Sequence, residues 1–307
     1  MTTFVFGHKS PDTDSTASAI VWAWHLGRTG ETAEARLLGE PNTEAAFVLE
    51  HWGFERPALL DHLEPGQKVV IVDTNNIAEL PETINDADIR AIIDHHKLVP
   101  GLETRGPIDV TIRPLACTAT ILWDLMGEEA AAAAPEGIKG LALSCILSDT
   151  LAFRSPTTTP RDRALAERLA GELGVDIPGY SSKMFAAKSD VSRFSAAELL
   201  RMDSKEYTVD GVDFRVSVLE TVSPEAILAR KAELVAAMPK VALEDGAQYV
   251  LLFVVDILRE EATMLVPDDL SRTVAEKTFG VRVEGDTVVL PGIMSRKKQI
   301  IPALKVR

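Results

Sequence analysis

Apolar and polar positions along the first half of the chain follow two alternating rhythms. Short apolar runs at "TFVFGH", "EARLLGE", "QKVVIVDT" and "IRAIIDHH" predict strands, the longer ones of the kind buried in parallel sheets. Between them, "STASAIVWAWHLG" predicts a helix ending at Gly27. "NTEAAFVLEHWG" predicts another, capped by Asn42 or Thr43 and stopped by Gly53. "PIDVTIRP" alternates more strictly between two prolines and predicts an edge strand. Helical patterns follow at "CTATILWDLMG", "IKGLALSCILSDT" and "PRDRALAERLAGELG", and the Ala-rich "EEAAAAAPEG" predicts a surface helix end and loop. Strands alternating with helices predict an α/β fold, a parallel sheet with helices on both faces.

The pattern loosens across residues 176–192, where Gly, Pro and Ser accumulate, and a domain boundary is expected there, dividing residues 1–187 from 188–307. The second part has its own elements. "KEYTVDGVDFRVSVLE" predicts a hairpin turning at Asp210-Gly211, and "SPEAILARKAELVAAMP" a helix capped by Ser223 with Pro224 in its first turn. "AQYVLLFVVDIL" predicts a buried strand, "SRTVAEKTFG" a helix and "DTVVLPG" a last strand. No internal repeat is visible.

Charge narrows the function. Across 307 residues the formal net charge is −14, which argues against a nucleic-acid-coating surface while leaving room for a local basic patch facing a small anion. The two cysteines, Cys117 and Cys145, lie in apolar helical settings and read as buried free thiols in a reducing compartment. The N-terminal residues lack a secretory pattern, and no stretch comes near roughly 18 uninterrupted apolar residues. The chain reads as cytoplasmic, without a membrane span.

Acidic and histidine-bearing motifs follow the apolar strands of the first half. They are His8, Asp12 and Asp14 after "FVF", Asp73 after "VVIV", and Asp94-His95-His96 after "RAII"; Asp149 ends an apolar helix. Ligands of an open parallel sheet bind outside the carboxyl ends of its strands, so these motifs converge on one crevice. Each has a plainer reading, since Asp14 and Ser15 precede a helix and suit a cap, and Asp73 suits a turn. His25, His51 and His62 have no carboxylate companions and read as structural. Carboxylate and imidazole donors without thiolates suit Mn²⁺, Mg²⁺, Co²⁺ or Fe²⁺ better than structural zinc. Carboxylates in excess of one ion's needs suggest two ions sharing one of them, an arrangement suited to hydrolysis of a phosphoric anhydride or ester. In the second part, Arg296, Lys297 and Lys298 form a basic run between apolar flanks, and Lys205 is an isolated candidate. The run reads either as a solvated tail or as an ordered phosphate-holding segment.

"GHKSPDTDS", "VDTN", "DHH", "LSDT" and the terminal "SRKKQ" together resemble the manganese-dependent (family II) inorganic pyrophosphatases of the DHH phosphoesterase superfamily, over essentially the whole chain. The resemblance implies a larger N-terminal parallel-sheet domain that binds metal and a smaller C-terminal α/β domain that binds substrate, with the active site in the cleft between them. It implies one Mn²⁺ on His8, Asp12 and Asp73, and a second on Asp14, Asp73, His95 and Asp149, with Asp73 bridging. Co²⁺ would be a possible substitute, and Mg²⁺ would accompany the substrate. Asp14 and Asp73 would belong to the catalytic centre with His96, the substrate-contacting histidine, while Lys205, Arg296 and Lys297 hold pyrophosphate and Lys298 supports them. A metal-activated hydroxide would then hydrolyse pyrophosphate to two phosphates, in a homodimer formed through the N-terminal domain. Ser10 stands where the family often has Asn, and it is not a ligand position. The alternative is an exopolyphosphatase of the same superfamily, which the compact "SRKKQ" disfavours. An oligonucleotide-cleaving member would carry a glycine-rich motif, and this chain has no Gly-Gly pair. A metal-dependent binding module would have lost a ligand, and no ligand position is lost.

Overall fold

Five short strands, β1 (Thr3–Phe6), β2 (Ala33–Ala35), β3 (Lys68–Val72), β4 (Asp88–Asp94) and β5 (Asp109–Ile112), form an all-parallel sheet in the order β2-β1-β3-β4-β5. They belong to a computed structural model that describes residues 2–60, 62–192 and 194–306. The chain divides into two units, Met1–Lys188 and Ser189–Arg307.

In the first unit, the strand order reverses between β1 and β3, the switch point where such sheets bind ligands. "PIDVTIRP" supplies β5 at the sheet edge, as its alternation predicts. Alternate residues of the central strands face opposite ways. Val5, Val70, Val72 and Ile93 are buried, and α1 (Thr13–Arg28) and α3 (Thr118–Ala132) pack on the sheet. Phe6, Val69, Ile71, Ile89 and Ile92 form the opposite core, where they meet Leu63, Leu80, Ile84 and Ala87. That second face is not helix-covered as expected. The β3–β4 crossover has no long helical period and forms only short 3₁₀ turns, Ile77–Glu79 and Ile84–Asp86, whose apolar residues seal the sheet.

The remaining helices are α2 (Thr43–His51), α4 (Glu136–Asp149), α5 (Pro160–Leu173) and α6 (Ile177–Lys188). Every α4 position from Gly140 to Ser148 is buried, because α1, α3 and α5 pack around it. The Ala-rich tract holds the end of α3, at Ala132, and the connection to α4, as its sequence predicts, after a bend at Gly127, where φ is +76°. The stretch that loosens in sequence holds α6, whose Tyr180, Met184 and Phe185 are buried despite a first turn containing Pro178 and Gly179.

In the second unit, β6 (Ser204–Val209), β7 (Val212–Thr221), β8 (Tyr249–Asp256), β9 (Glu261–Leu265) and β10 (Thr287–Pro291) form a mixed sheet in the order β10-β9-β8-β7-β6. Only β7 and β8 pair in parallel. The β6–β7 hairpin turns at Asp210-Gly211, both with positive φ, the turn its sequence predicts. Both sheet faces are buried. Val250, Leu252 and Val254 pack with α7 (Ala196–Met202) and with the longer of the next two helices, α8 (Pro224–Leu228) and α9 (Lys231–Glu244). Leu251, Phe253 and Val255 pack with α10 (Asp269–Phe279) and with Ile300, Leu304 and Val306. The helix expected over residues 223–239 is therefore two. It breaks around Ala229-Arg230, Ser223 makes no side-chain cap bond, and the second helix runs through Pro239 to Glu244. Strand β9 and helix α7 were not apparent in sequence.

Candidate metal centre

The loop leaving β1 at the switch point turns tightly onto α1. A Cβ on Gly7 would lie 2.0 Å from Ser15 Oγ, so only glycine permits the approach that lets Ser15 Oγ accept the His8 backbone N–H at 3.1 Å. Asp12 caps α1, accepting from Ser15 N at 3.0 Å, so the cap lies two residues before the Asp14 position considered in sequence. Capping and metal binding coexist here, because Asp12, His8 and Asp73 offer ligand atoms within 4.8 Å of one another.

Asp73 follows β3 in the left-handed region, φ +59°, a conformation that Asp adopts more readily than most residues. Its buried carboxylate faces His8 Nε2 through Oδ2 at 3.5 Å and His95 Nε2 through Oδ1 at 3.4 Å, and accepts from Thr118 Oγ1 at 3.0 Å. Burial and the nearby charge of Asp14 raise its pKa to about 6, against the opposing pull of His8 and His95. The imidazoles move the other way from what burial dictates. Burial disfavours their charge, yet the Asp73 hydrogen bond, with Asp12 beside His8 and Asp14 beside His95, lifts both to about 9.

His95 and His96 follow β4 and divide their roles by hydrogen bonding. His95 Nδ1 lies 3.2 Å from the Leu115 carbonyl, which can only accept, so the proton sits on Nδ1 and Nε2 faces Asp73. His96 is exposed, and its Nδ1 lies 2.9 Å from Asp94 Oδ1. That bond raises the His96 pKa. Asp94, fully buried, has its own pKa depressed; burial opposes this, but the bonds from the His96 side chain and backbone outweigh it. Asn75 completes the frame, donating to Asp94 Oδ2 at 2.6 Å and accepting from Val99 N at 2.8 Å. Asp94 and Asn75 lie inside the quoted motifs, yet no sequence signal separated these orienting residues from ligands.

Asp14 and Asp149 form a further group with Cys117. Asp14 is buried at the N-terminus of α3. Its Oδ1 takes Ser18 Oγ, Cys117 Sγ and Ala119 N, while Oδ2 takes Thr118 N at 2.6 Å. Oδ2 therefore has coordination capacity left. Burial would raise Asp14; the His95 charge and these donors hold it low. Asp149 moves oppositely, pushed well up by burial and then by Asp14, Asp73 and Asp12. The Cys117 thiol already donates to Asp14 Oδ1 at 3.3 Å, and burial holds its pKa well above the ordinary value. The usable donors are thus carboxylates and imidazoles, a set that fits manganese and does not fit a structural zinc–thiolate site. A cavity of about 540 Å³ opens beside it, lined in part by His8, Lys9, Ser10, Asn75, His96 and Lys97.

The second unit brings the predicted basic residues together. Although β10 and β6 are opposite sheet edges, Arg296 donates to the Asp203 carbonyl and carboxylate, each at 2.7 Å, two residues before Lys205. The "SRKKQ" segment is ordered. Gln299 Oε1 accepts from Met294 N and Ser295 N, its Nε2 donates to Gly292 O, and Ile300 is fully buried. Lys205, Lys297 and Lys298 are exposed.

Comparison with known proteins identifies the family. Residues 2–148 match the DHH family N-terminal domain, and residues 182–306 match the DHHA2 domain. A relative from Deinococcus radiodurans, named a probable manganese-dependent inorganic pyrophosphatase, is 44% identical over 98% of this chain and 97% of its own. One from Shouchella clausii with the same name is 37% identical over 98% of this chain and 96% of its own. A solved structure from Methanococcus jannaschii, provisionally assigned to the family II inorganic pyrophosphatases, superposes with a TM-score of 0.64 at 32% identity, covering 98% of this chain and 97% of its own. An exopolyphosphatase-related protein from Bacteroides fragilis shares the fold, at 13% identity and a TM-score of 0.52, covering 98% of this chain and 90% of its own.

Proposed function

The chain belongs to the manganese-dependent inorganic pyrophosphatases of the DHH family, and from that premise we propose how its residues divide the hydrolysis of pyrophosphate to two phosphates. The observation that carries the reading is Asp73, whose carboxylate lies against His8 through one oxygen and His95 through the other. His8, Asp12 and Asp73 hold one manganese ion; Asp14, Asp73, His95 and Asp149 hold a second, with Asp73 shared. When bound, manganese supplies Lewis acidity to phosphoryl oxygens and makes water a stronger acid near neutral pH. The imidazole–carboxylate set accepts Co²⁺ in its place, and Mg²⁺ accompanies the substrate.

His96 acts on the substrate. Asp94 fixes its Nδ1, so Nε2 presents a hydrogen bond, and a transferable proton, to a phosphate oxygen. Lys205, Arg296 and Lys297 hold pyrophosphate by charge-assisted hydrogen bonds, and the Asp203 pairing fixes the plane of the Arg296 fork. The first unit, residues 1–187 on the sequence division, is the metal-binding domain, and residues 188–307 supply the anion-holding groups. A cytoplasmic homodimer acting on free pyrophosphate, with no part for nucleic acid or membrane, completes the reading. Its support is the outer edge of β5, unpaired among the described residues, with Leu98 and Val110 exposed near it. Among the described residues, no helix is long and apolar enough to cross a membrane.

The test is phosphate release from pyrophosphate, tripolyphosphate and a dinucleotide, each with Mn²⁺, Co²⁺ and Mg²⁺. Pyrophosphate should be the fastest substrate, with activity abolished by chelator and restored by Mn²⁺. Faster release from tripolyphosphate would favour an exopolyphosphatase instead.

A further inference from the structure

Resting on the ligand reading above, we propose that Glu44 is a positioning residue for the metal centre, a buried brace that fixes the start of α1 against the end of α4. Glu44 lies in the first turn of α2 and is 0% exposed. Its Oε2 accepts from Thr13 Oγ1 at 3.1 Å and from Ser148 Oγ at 2.7 Å, and lies 3.1 Å from Lys188 Nζ. Its Oε1 is buried and, among the described residues, accepts no hydrogen bond.

The neighbours of these donors give the arrangement its meaning. Thr13 stands between Asp12 and Asp14, and Ser148 immediately precedes Asp149. One oxygen thus grips the residues adjoining three proposed ligands, on helices more than a hundred residues apart in sequence. Asp14 and Asp149 offer ligand atoms within 4.8 Å of each other. An ion held by both carboxylates needs them at a fixed separation, and so needs the start of α1 and the end of α4 kept in register. A tie between Thr13 and Ser148 keeps that register. Helix α2 does not itself require the acid, because Asn42 already caps it. A buried carboxylate is unfavourable unless it is paired and hydrogen-bonded, so the site needs Lys188 and both hydroxyls to hold it.

The experiment measures Mn²⁺ affinity in the full chain, by titrating metal-stripped protein well below its melting temperature, beside steady-state kinetics. Glu44→Ala should weaken Mn²⁺ binding at least about tenfold, while KM for pyrophosphate at saturating Mn²⁺ stays within about twofold. Glu44→Gln keeps the shape and one acceptor oxygen toward Thr13 and Ser148, and should stay within about threefold of the parent. Leu234→Ala, in the core of the second unit, serves as the control: a lower melting temperature with unchanged Mn²⁺ affinity. If Glu44→Ala does not fold, Ser148→Ala and Thr13→Val sever one arm at a time, and each should weaken binding about threefold. Parent-like Mn²⁺ affinity in Glu44→Ala, or in both arm variants, would overturn the brace alone. A parent that takes up no manganese would overturn the ligand reading, and the brace with it.

Discussion

Replacing Asp73 by Asn removes one charge from the point where the two proposed metal sites meet and changes little else. The amide keeps the volume, can still accept from Thr118 Oγ1, and tolerates the left-handed backbone at φ +59°. The magnitude follows from the imidazoles it faces. His8 and His95 are carried from 6.5 to about 9 against their burial, with the Asp73 hydrogen bond the largest favourable contribution to each. A midpoint moved that far is worth about 3 kcal/mol per imidazole, and with side chains only 16% and 17% exposed, solvent screens little of it. In metal-stripped Asp73→Asn, therefore, both histidines should titrate at least about one pH unit lower than in the parent, as seen in their ring proton resonances. Manganese content should fall further than in His8→Gln, which disables one site and leaves Asp14, Asp73, His95 and Asp149 intact. Histidines still titrating near 9, or equal manganese in the two variants by elemental analysis, would refute the shared position of Asp73.

The same pKa shifts set the pH dependence of stability in metal-stripped protein. His8 and His95 are raised by folding, so their stabilisation is complete below about 6.5 and disappears as pH rises through about 9; Asp73, raised to about 6, loses its share earlier. Melting temperature should fall between about pH 6 and 9, and added Mn²⁺ should restore more of it at the alkaline end; a flat profile would count against the cluster. Because protons and Mn²⁺ compete for these groups, the acid limb of turnover should move to lower pH as Mn²⁺ concentration rises, whereas a limb set by His96 alone would stay fixed. Arg296→Ala should keep its manganese but lose about one to two powers of ten in kcat/KM, and values within about twofold of the parent would remove it from the substrate site. Asp203→Asn should cost less, about threefold, because the Asp203 carbonyl still accepts from Arg296.

Much of the frame was legible because strand runs and glycine or proline stops are local signals. What escaped depended on packing. Helix α6 was hidden by Pro178 and Gly179 in its first turn, although Tyr180, Met184 and Phe185 bury one face of it. The long helix of the second unit was over-read, since nothing in "AILARKAEL" marks the break near Arg230. At the centre, ligand-type residues were visible because carboxylate and imidazole at strand ends is itself an uncommon pattern. The residues that aim them were not. Asp94 aims His96 from two residues away, but Asn75, Thr118 and Glu44 act through partners 19, 45 and 104 positions away, distances over which sequence carries no geometric information.

These orienting contacts explain how so many like charges persist in one place. Asp12, Asp14, Asp73 and Asp149 crowd together, and without a cation the fold answers with protons: on His8 and His95, and on Asp73 and Asp149, whose pKa values rise. Asp14 alone is held low, and burial cannot be the reason; the backbone N–H groups at the start of α3 and the His95 charge hold it ionised. Asp14 thus holds its charge more readily than Asp73 and Asp149, while His8 and His95 hold protons that a divalent ion would displace. Metal loading is accordingly a proton release, more favourable as pH rises. The cations proposed to hold the anion take no part in that exchange. Arg296 has its own carboxylate in Asp203, and Lys205 and Lys297 stand exposed in the second unit. Changes to the first set should therefore be read in metal content and changes to the second in kinetics.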